Sequence, residues 1–337
     1  MADKQSSQPP RSNPIVRALA GWQPARVLMT ANRLDVFNAI GGDALGARDV
    51  ARRCEAHPRS MRLLLNACVA LGFLDRHRRR YLNTPLGLQT LVRGGDAYIG
   101  DGVSHSDDLW SRWGYLAQSV KTNKAASAPR GPVDPKAGYR DFILAMHNRA
   151  MRNGAVLADE LDLQGRRQLF DAGGGPGTYS VFLARKNPRL RAIVFDLPPA
   201  VEIASELIAE AGLADRVSTR AGNYFVDDFG EGNDVVLLSA IVHSMRPQRA
   251  KLLLGKARDS LVGGGIVVVH ESLVDNSKIA PVGAVLFSLN MLVNTGEGRS
   301  YSGREIMSWL RDTGFAAPRV QDLSAPAGTS LVIGAKL

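Results

Sequence analysis

An acid followed by glycine at every second position is the part of this chain best equipped to meet a bulky ligand. Asp171, Gly173, Gly175 and Gly177 stand in the stretch Gln168-Leu-Phe-Asp-Ala-Gly-Gly-Gly-Pro-Gly-Thr-Tyr-Ser180. Its apolar beginning reads as a short strand ending on Asp171, and Thr178 to Lys186 reads as an amphipathic helix. Strand, glycine turn and helix in that order open a nucleotide-binding crossover unit. Glycines let the backbone approach a ligand, and the helix start presents its unpaired N–H groups. The dinucleotide fingerprint needs a further glycine at Thr178 or Ser180, and a phosphate-cradling loop needs Lys-Ser/Thr after its last glycine; both patterns fail here. A second acid, Asp196, ends the next strand Ala192-Ile-Val-Phe195. It lies about 20 residues beyond the last glycine, where an acid holds a ribose diol; its alternative role is to cap the turn into Leu197-Pro198-Pro199.

These residues need a sheet to hold them. Strands near 168–171, 192–195, 216–220, 234–239 and 265–270 alternate with helices, which predicts a doubly wound parallel sheet. The last two strands, Arg319 to Leu323 and Thr329 to Ala335, are joined by Ser-Ala-Pro-Ala-Gly. That link is too short for a crossover helix, so the pair must be antiparallel.

Upstream, Ile15, Val16, Leu19, Val27, Leu28, Ala31, Leu34, Val36 and Phe37 follow helical spacing, with Pro24 read as the break between two helices. They cover either a second subunit or an internal core. From Asp43 to Leu91 a short helix (Ala47 to Cys54), a turn at His57-Pro58, a longer helix (Ser60 to Gly72) and a hairpin with the basic turn Arg76-His-Arg-Arg-Arg80 predict a winged helix-turn-helix. Such a module often reads DNA. The longer helix, however, spends Leu63, Leu64, Leu65, Ala67, Val69 and Leu71 on burial and offers a groove mainly Arg59, Arg62 and Asn66. Trp110, Trp113 and Tyr115 lie in a helical stretch, Lys121 to Pro135 reads as a linker or lid, and Phe142 to Met151 returns to helix. That helix places Met146, His147 and Met151 near one another, as core filler or facing a ligand.

The 337 residues allow two domains, and 45% hydrophobic with 22% charged residues is ordinary for a globular chain. No apolar run reaches the roughly 20 residues that span a bilayer. Residues 1–13 are polar, without an apolar signal core, and read as a disordered leader on a cytoplasmic protein. Cys54 and Cys68 sit in helical patterns and fit packing better than a disulfide or a zinc site. The net charge of +10 suits nucleic acid, an anionic surface or an anionic substrate alike.

The acid and alternate glycines at Asp171 to Gly177 resemble motif I of class I S-adenosylmethionine-dependent methyltransferases, and a terminal hairpin on a parallel sheet is the mark of that class. Over residues 14–337 the chain resembles the O-methyltransferase family that includes the caffeate and acetylserotonin O-methyltransferases. The resemblance implies a Rossmann-like sheet with a terminal antiparallel hairpin, preceded by an all-α, winged-helix domain. It implies a dimerisation domain at 14–105, a helical linker lining the substrate at 106–154, a cofactor-binding catalytic domain at 155–337, and a homodimer that does not bind DNA. S-adenosyl-L-methionine is the implied cofactor, held by Asp171, Gly173, Gly175, Gly177, Asp196 and Leu197. The family's Gly-Asp-x-Phe at the adenine reads Gly222-Asn223-Tyr224-Phe225 here, and Ser239 stands where the family uses a longer polar residue.

The family's catalytic histidine, in His-Asp-Trp, corresponds to His243 in Ile241-Val-His-Ser-Met245, without the Asp and Trp. An imidazole, with its ordinary pKa of about 6.5, takes a hydroxyl proton near neutral pH. Glu271 matches the glutamate that orients the base. A second family glutamate falls where this chain has a glycine in Gly296-Glu297-Gly298, with Glu297 beside it. Met146, His147, Met151, Met291 and Asn294 are the implied acceptor-binding positions, and no metal is implied. The acceptor is then a small molecule, in the first place a hydroxyl. Methylation of a thioether acid, or of carbon or nitrogen, needs no base and remains an alternative, as does a winged-helix regulator that senses the cofactor. Arg140, Arg149 and Arg152 either serve an acidic substrate or face solvent.

Overall fold

The computed structural model describes residues 13–127, 135–325 and 328–337. The leader, apart from Asn13, the middle of the 121–135 loop and two residues of the terminal hairpin loop lie outside the described residues. The chain forms two compact units that change over between Asp107 and Asp108.

In the first unit α1 (Pro14–Ala20) and α2 (Trp22–Arg33) meet at Gly21, not at Pro24. Pro24 falls in the first turn of α2, where a backbone N–H has no intrahelical acceptor to lose, so the proline is tolerated. Asp35, at φ 57°, interrupts the chain before α3 (Val36–Ile40). Then come β1 (Leu45–Gly46), α4 (Ala47–Arg53), α5 (Pro58–Ala70), β2 (Leu74–His77), β3 (Arg80–Asn83) and α6 (Pro85–Thr90). The three strands form a small antiparallel sheet in the order β1-β3-β2. α5 buries Met61, Leu65 and Cys68 against Phe37, Ile40, Val50 and Tyr81. Leu63 and Leu71, expected to be buried, are 58% and 37% exposed, because a 3.6-residue period turns only one stripe inward. α1 buries none of its residues. α7 (Gly100–Trp113) begins in the first unit, where its Asp107 is a buried carboxylate paired with Arg26 and Arg33, and its last turns belong to the second.

The second unit continues with α8 (Leu116–Thr122), within the stretch read as a linker, and α9 (Pro135–Glu160), which runs on past the expected end of that stretch at 154. Next in the chain stand β4 (Gln168–Ala172), α10 (Thr178–Lys186), β5 (Arg191–Asp196), α11 (Pro198–Glu210), β6 (Val217–Ala221) and β7 (Asn233–Ser239). They are followed by α12 (Pro247–Ser260), β8 (Leu261–Glu271), α13 (Val282–Thr295), α14 (Gly303–Asp312), β9 (Ala316–Asp322) and β10 (Ser330–Ala335). The strands make one seven-stranded sheet in the order β6-β5-β4-β7-β8-β10-β9. It is parallel as far as β8; the last two strands pair antiparallel as expected, and β10 lies between β8 and β9, antiparallel to both.

Side chains of a strand alternate between faces. Leu169, Val194, Leu237 and Val268 point toward α9, α10 and α11, whereas Phe170, Phe195, Leu238 and Val269 point toward α12 and α14. Asp171 and His270 therefore share the first face, and Glu271 lies on the second. β4 and β7 are neighbours although the chain leaves them in opposite directions, and open α/β sheets bind ligands at the carboxyl ends of such strands.

Candidate active site

The turn after β4 is built from left-handed glycines, with φ of 74° at Gly173, 52° at Gly175 and 70° at Gly177. The N–H of Gly173 donates to the carbonyl of Phe195 (2.7 Å), lashing the turn to β5. Gly175 N–H donates to Asp196 Oδ2 (2.8 Å) and Leu197 N–H to Oδ1 (2.7 Å). Asp196 thus steadies both loops and keeps a spare lone pair on each oxygen. Leu197 itself is half exposed. Directly under the turn, a Cβ at Gly174 would come 2.7 Å from Asp171 Cγ, whereas one at Gly175 would meet open space.

Asp171 is fully buried. Its Oδ2 accepts from Ser180 Oγ (2.7 Å), while Oδ1 has no hydrogen-bond partner among the described residues. Burial pushes its carboxyl up to about 7; the Ser180 bond opposes that shift and nearby Asp196 adds to it. A cation placed there would restore the charged form. An orphaned buried acid, an open glycine cradle and a second acid at the next strand end fit the methionine and ribose ends of S-adenosylmethionine. Tyr224 supports one wall, its ring 3.5 Å from where a Gly173 Cβ would stand. Asn223 is exposed and its Oδ1 closes the local turn by accepting from Phe225 N–H (2.9 Å).

β7 leads into Ala240, held at φ 56°, and then into a 3₁₀ turn, Val242–Ser244, that carries His243. Left-handed backbone at a non-glycine residue is strain that the surroundings must hold. The Ala240 N–H donates to the carbonyl of His270 (2.9 Å), which fixes this corner against β8. His243 Nδ1 bonds Glu271 Oε2 (2.7 Å), and the His243 backbone N–H donates to Oε1 (3.2 Å). Glu271 is only 4% exposed. Facing a carboxylate, Nδ1 carries the proton, which leaves Nε2 with its lone pair and no hydrogen bond among the described residues. Phe287 of α13 packs edge-on against the ring, at 4.7 Å between centroids.

The structure does not bring Glu297 to this pair. Its carboxylate is bound to Arg246 at the surface. The adjoining Gly298 lies so close to the His243 carbonyl that a Cβ would collide with it, so the backbone leaves no room for a side chain where the resemblance placed a glutamate. Ser239 is likewise committed elsewhere. β7 pairs it with His270, whose Nδ1 it bonds (2.9 Å), and His270 Nε2 bonds Thr329 Oγ1 (2.8 Å).

Among the acceptor positions, His147 Nδ1 bonds Thr178 Oγ1 (2.7 Å), and burial lowers its pKa. Met146 is half-buried and Met291 buried, while Met151 is 47% exposed and is not enclosed. Asn294 donates to the Asn290 carbonyl (2.7 Å) and accepts from Arg112 (3.2 Å), which ties α13 to the end of α7. Of the three arginines on α9, Arg140 is paired at the surface with Glu206 (2.7 Å) and Arg152 is exposed. Arg149 is half-buried, donates to Ser272 Oγ (3.2 Å) and forms no ion pair among the described residues. Ser180, Thr178, Phe287 and Ser272 were not foreseen as site residues. The first two are the very positions whose lack of glycine rejects a dinucleotide fingerprint, and their hydroxyls were the available signal.

Comparison with known proteins agrees with this geometry. The family model for the O-methyltransferase domain matches residues 134–316, and that for the O-methyltransferase dimerisation domain matches residues 18–93. The chain is 35% identical to the 3-hydroxy-5-methyl-1-naphthoate 3-O-methyltransferase of Streptomyces sahachiroi, covering 94% of this chain and 93% of that one. It is 31% identical to the tetracenomycin polyketide synthesis 8-O-methyl transferase of Streptomyces glaucescens, covering 96% of each. In fold it matches human N-acetylserotonin methyltransferase, solved with S-adenosylmethionine, at a TM-score of 0.87 and 23% identity over 98% of this chain and 99% of that one. The chain belongs to the O-methyltransferase family: it is an S-adenosyl-L-methionine-dependent methyltransferase whose acceptor is the hydroxyl of a small molecule.

Proposed function

We propose that the enzyme methylates a phenolic hydroxyl on a planar aromatic acceptor, with His243 as the base that removes the hydroxyl proton. The observation that carries this reading is the His243–Glu271 pair, 2.7 Å apart, with the second ring nitrogen unengaged. The hydroxyl proton passes to His243 Nε2, and the buried Glu271 carboxylate stabilises the imidazolium that results and holds the ring in one tautomer. S-adenosylmethionine, when bound, supplies a methyl carbon activated by its sulfonium, so attack by the phenolate oxygen breaks the C–S bond and the sulfur leaves with the electron pair. The chain's remaining task is alignment. Asp171 and the glycine turn would receive the cationic methionine end, Asp196 the ribose hydroxyls, and Tyr224 a face of the nucleoside. Arg149 is the cation at hand for the α-carboxylate. Phe287, edge-on to the His243 ring, would offer an apolar surface to an aromatic ring beside the base. The naphthoate and polyketide acceptors named for the Streptomyces relatives support this substrate class.

For the first unit we favour a winged helix that joins two copies of the chain. The dimerisation-domain match supports this, as do Ile15, Val16, Leu19 and Trp22, all more than half exposed on one short segment. Among the described residues no helix is long and apolar enough to cross a membrane. We favour the cytoplasm for the enzyme, since both cysteines are free thiols.

The test is His243→Ala, assayed with naphthols and with thioether acids while calorimetry follows S-adenosylhomocysteine binding. Loss of at least about a hundredfold in kcat with cofactor affinity intact is expected; near-normal turnover on naphthols would remove the base from the mechanism.

A further inference from the structure

The end of the sheet opposite the glycine turn carries a second concentration of chemistry that methyl transfer does not use. Three neighbouring parallel strands are entered there from an arginine. Arg167 precedes β4, Arg191 opens β5 and Arg216 precedes β6. Sheet hydrogen bonding holds them side by side, since Arg191 N–H donates to the Arg167 carbonyl (2.8 Å) and Ala192 N–H to the Arg216 carbonyl (2.9 Å). Arg191 and Arg216 each stand one residue before the paired Ala192 and Val217, on strands about 4.8 Å apart, so their like charges repel; Arg167 stands one residue before Gln168, the partner of Arg191. A fourth, Arg189, comes from the loop that ends α10. With Pro188, the four arginines line one surface depression of about 410 Å³, open to solvent, in which Arg167, Arg189 and Arg191 are exposed and Arg216 is half-buried.

None of the four arginines forms an ion pair among the described residues. The bonds they do make fix direction without cancelling charge. Arg191 Nη1 donates to the Asp215 carbonyl (3.0 Å), and Arg216 Nη1 donates to the carbonyl of Ala184 (2.6 Å). Asp234, which borders the group, spends Oδ2 on the backbone N–H groups of Arg167 and Gln168 (both 2.8 Å). A guanidinium has five donors in a planar fork, so each arginine keeps several that suit phosphate oxygens. With two forks anchored on carbonyls, those of Arg191 and Arg216, and none of the four in an ion pair among the described residues, the group suits an anion with more than one charge and more than one phosphoryl face.

We infer that the depression bounded by Arg167, Arg189, Arg191 and Arg216 is a binding site for a diphosphate, either free or as the end of a nucleotide. This reading does not depend on the identity of the methyl acceptor. It assigns part of the net charge of +10 to a place remote from the glycine turn.

The test is calorimetry on the full chain, with S-adenosylhomocysteine saturating the methyl-donor site. Pyrophosphate, uridine diphosphate and sulfate are compared at matched ionic strength. Saturable binding of pyrophosphate, tighter than sulfate, is expected. Arg167→Ala/Arg189→Ala should weaken it about tenfold or more while the affinity for S-adenosylhomocysteine stays unchanged, which certifies the fold. Arg189→Ala alone, on an exposed loop, should show the same direction. Uridine diphosphate binding as tightly as pyrophosphate would identify a nucleotide end as the source, and weaker binding the free anion. Heat that follows ionic strength alone, or binding equal in wild type and both variants, would overturn the assignment.

Discussion

Replacing Glu271 with Gln isolates what the carboxylate does for the base. Glutamine has the same length and volume, so the buried site keeps its packing. The carboxylate accepts twice from one residue, from His243 Nδ1 at 2.7 Å and from the His243 backbone N–H at 3.2 Å. An amide has one acceptor oxygen and one donor nitrogen. In either orientation it presents N–H to a group that is itself a donor, unless the imidazole gives up its Nδ1 proton. Relief comes by shifting the proton to Nε2 or by rotating the ring, and both abolish Nε2 as a base. The imidazolium formed during the reaction also loses its counter-charge. General-base catalysis is worth about 10² to 10⁴ in rate, and loss of the orienting acid in a comparable triad costs about 10⁴. A fall in kcat of two to four decades is therefore expected, about 3–5 kcal/mol of barrier. KM for the methyl donor should hold, because the pair does not touch the glycine turn. Initial rates on a naphthol at saturating S-adenosylmethionine measure the effect, and unchanged affinity for S-adenosylhomocysteine verifies the fold. A Glu271→Gln enzyme working within about threefold of wild type would refute the reasoning outright.

Alanine at Gly175 and at Gly174 should part company. The Gly175 change meets open space at φ 52°, so the protein folds with a loss of about 1–2 kcal/mol and fails to take up the cofactor; the Gly174 change drives Cβ to 2.7 Å from Asp171 Cγ and should unfold the turn, and thermal melts with and without S-adenosylhomocysteine read both. Asp171→Asn addresses the buried acid: with a folded pKa of about 7 against 3.8 ordinarily, the stability contributed by the protonated form is present below about pH 4 and lost as pH rises through about 7. The ligand-free variant should therefore melt higher than wild type at pH 8, yet gain less from S-adenosylhomocysteine; a lower melting point there would contradict the direction. Glu297→Gln, which disturbs only a surface contact with Arg246, should leave kcat within about threefold, and a hundredfold loss would return Glu297 to the catalytic group.

The sheet was legible because its evidence is local. Buried parallel strands are continuous apolar runs, as in Val235-Val-Leu-Leu238, and the short link between the last two strands leaves antiparallel pairing as the sole choice. Asp171, the alternate glycines and Asp196 were legible for the same reason, since strand, turn and helix follow within a few residues. What depended on distant contacts was not. Gly298 excludes a side chain because the His243 carbonyl, far away in sequence, lies against it. Met151 stands in the same helical run as Met146 and yet is left exposed, because the covering of a helix is set by its neighbours and not by its own pattern. Pro24 misled through position: the same ring that breaks a helix interior is harmless in a first turn.

The proposal that His243 is the base rests on counting lone pairs more than on the phrase in which the histidine occurs. His270 and His243 both lie beside Glu271, one as its neighbour in β8 and the other across from its carboxylate. Strand alternation sends His270 to the face opposite Glu271. There both ring nitrogens are bound, to Ser239 and to Thr329, the ring meets the edge of Tyr179, and burial pushes its pKa down to about 4. A histidine in that state is neutral, fully satisfied and unable to accept a proton without breaking a buried bond. His243 has one nitrogen bound to a carboxylate and the other unbound among the described residues. The missing Asp and Trp of the family phrase therefore do not decide the matter. The strained corner at Ala240 and the reach of Glu271 place a one-sided histidine at the carboxyl end of the sheet, beside the glycine turn, and that arrangement is sufficient for a base.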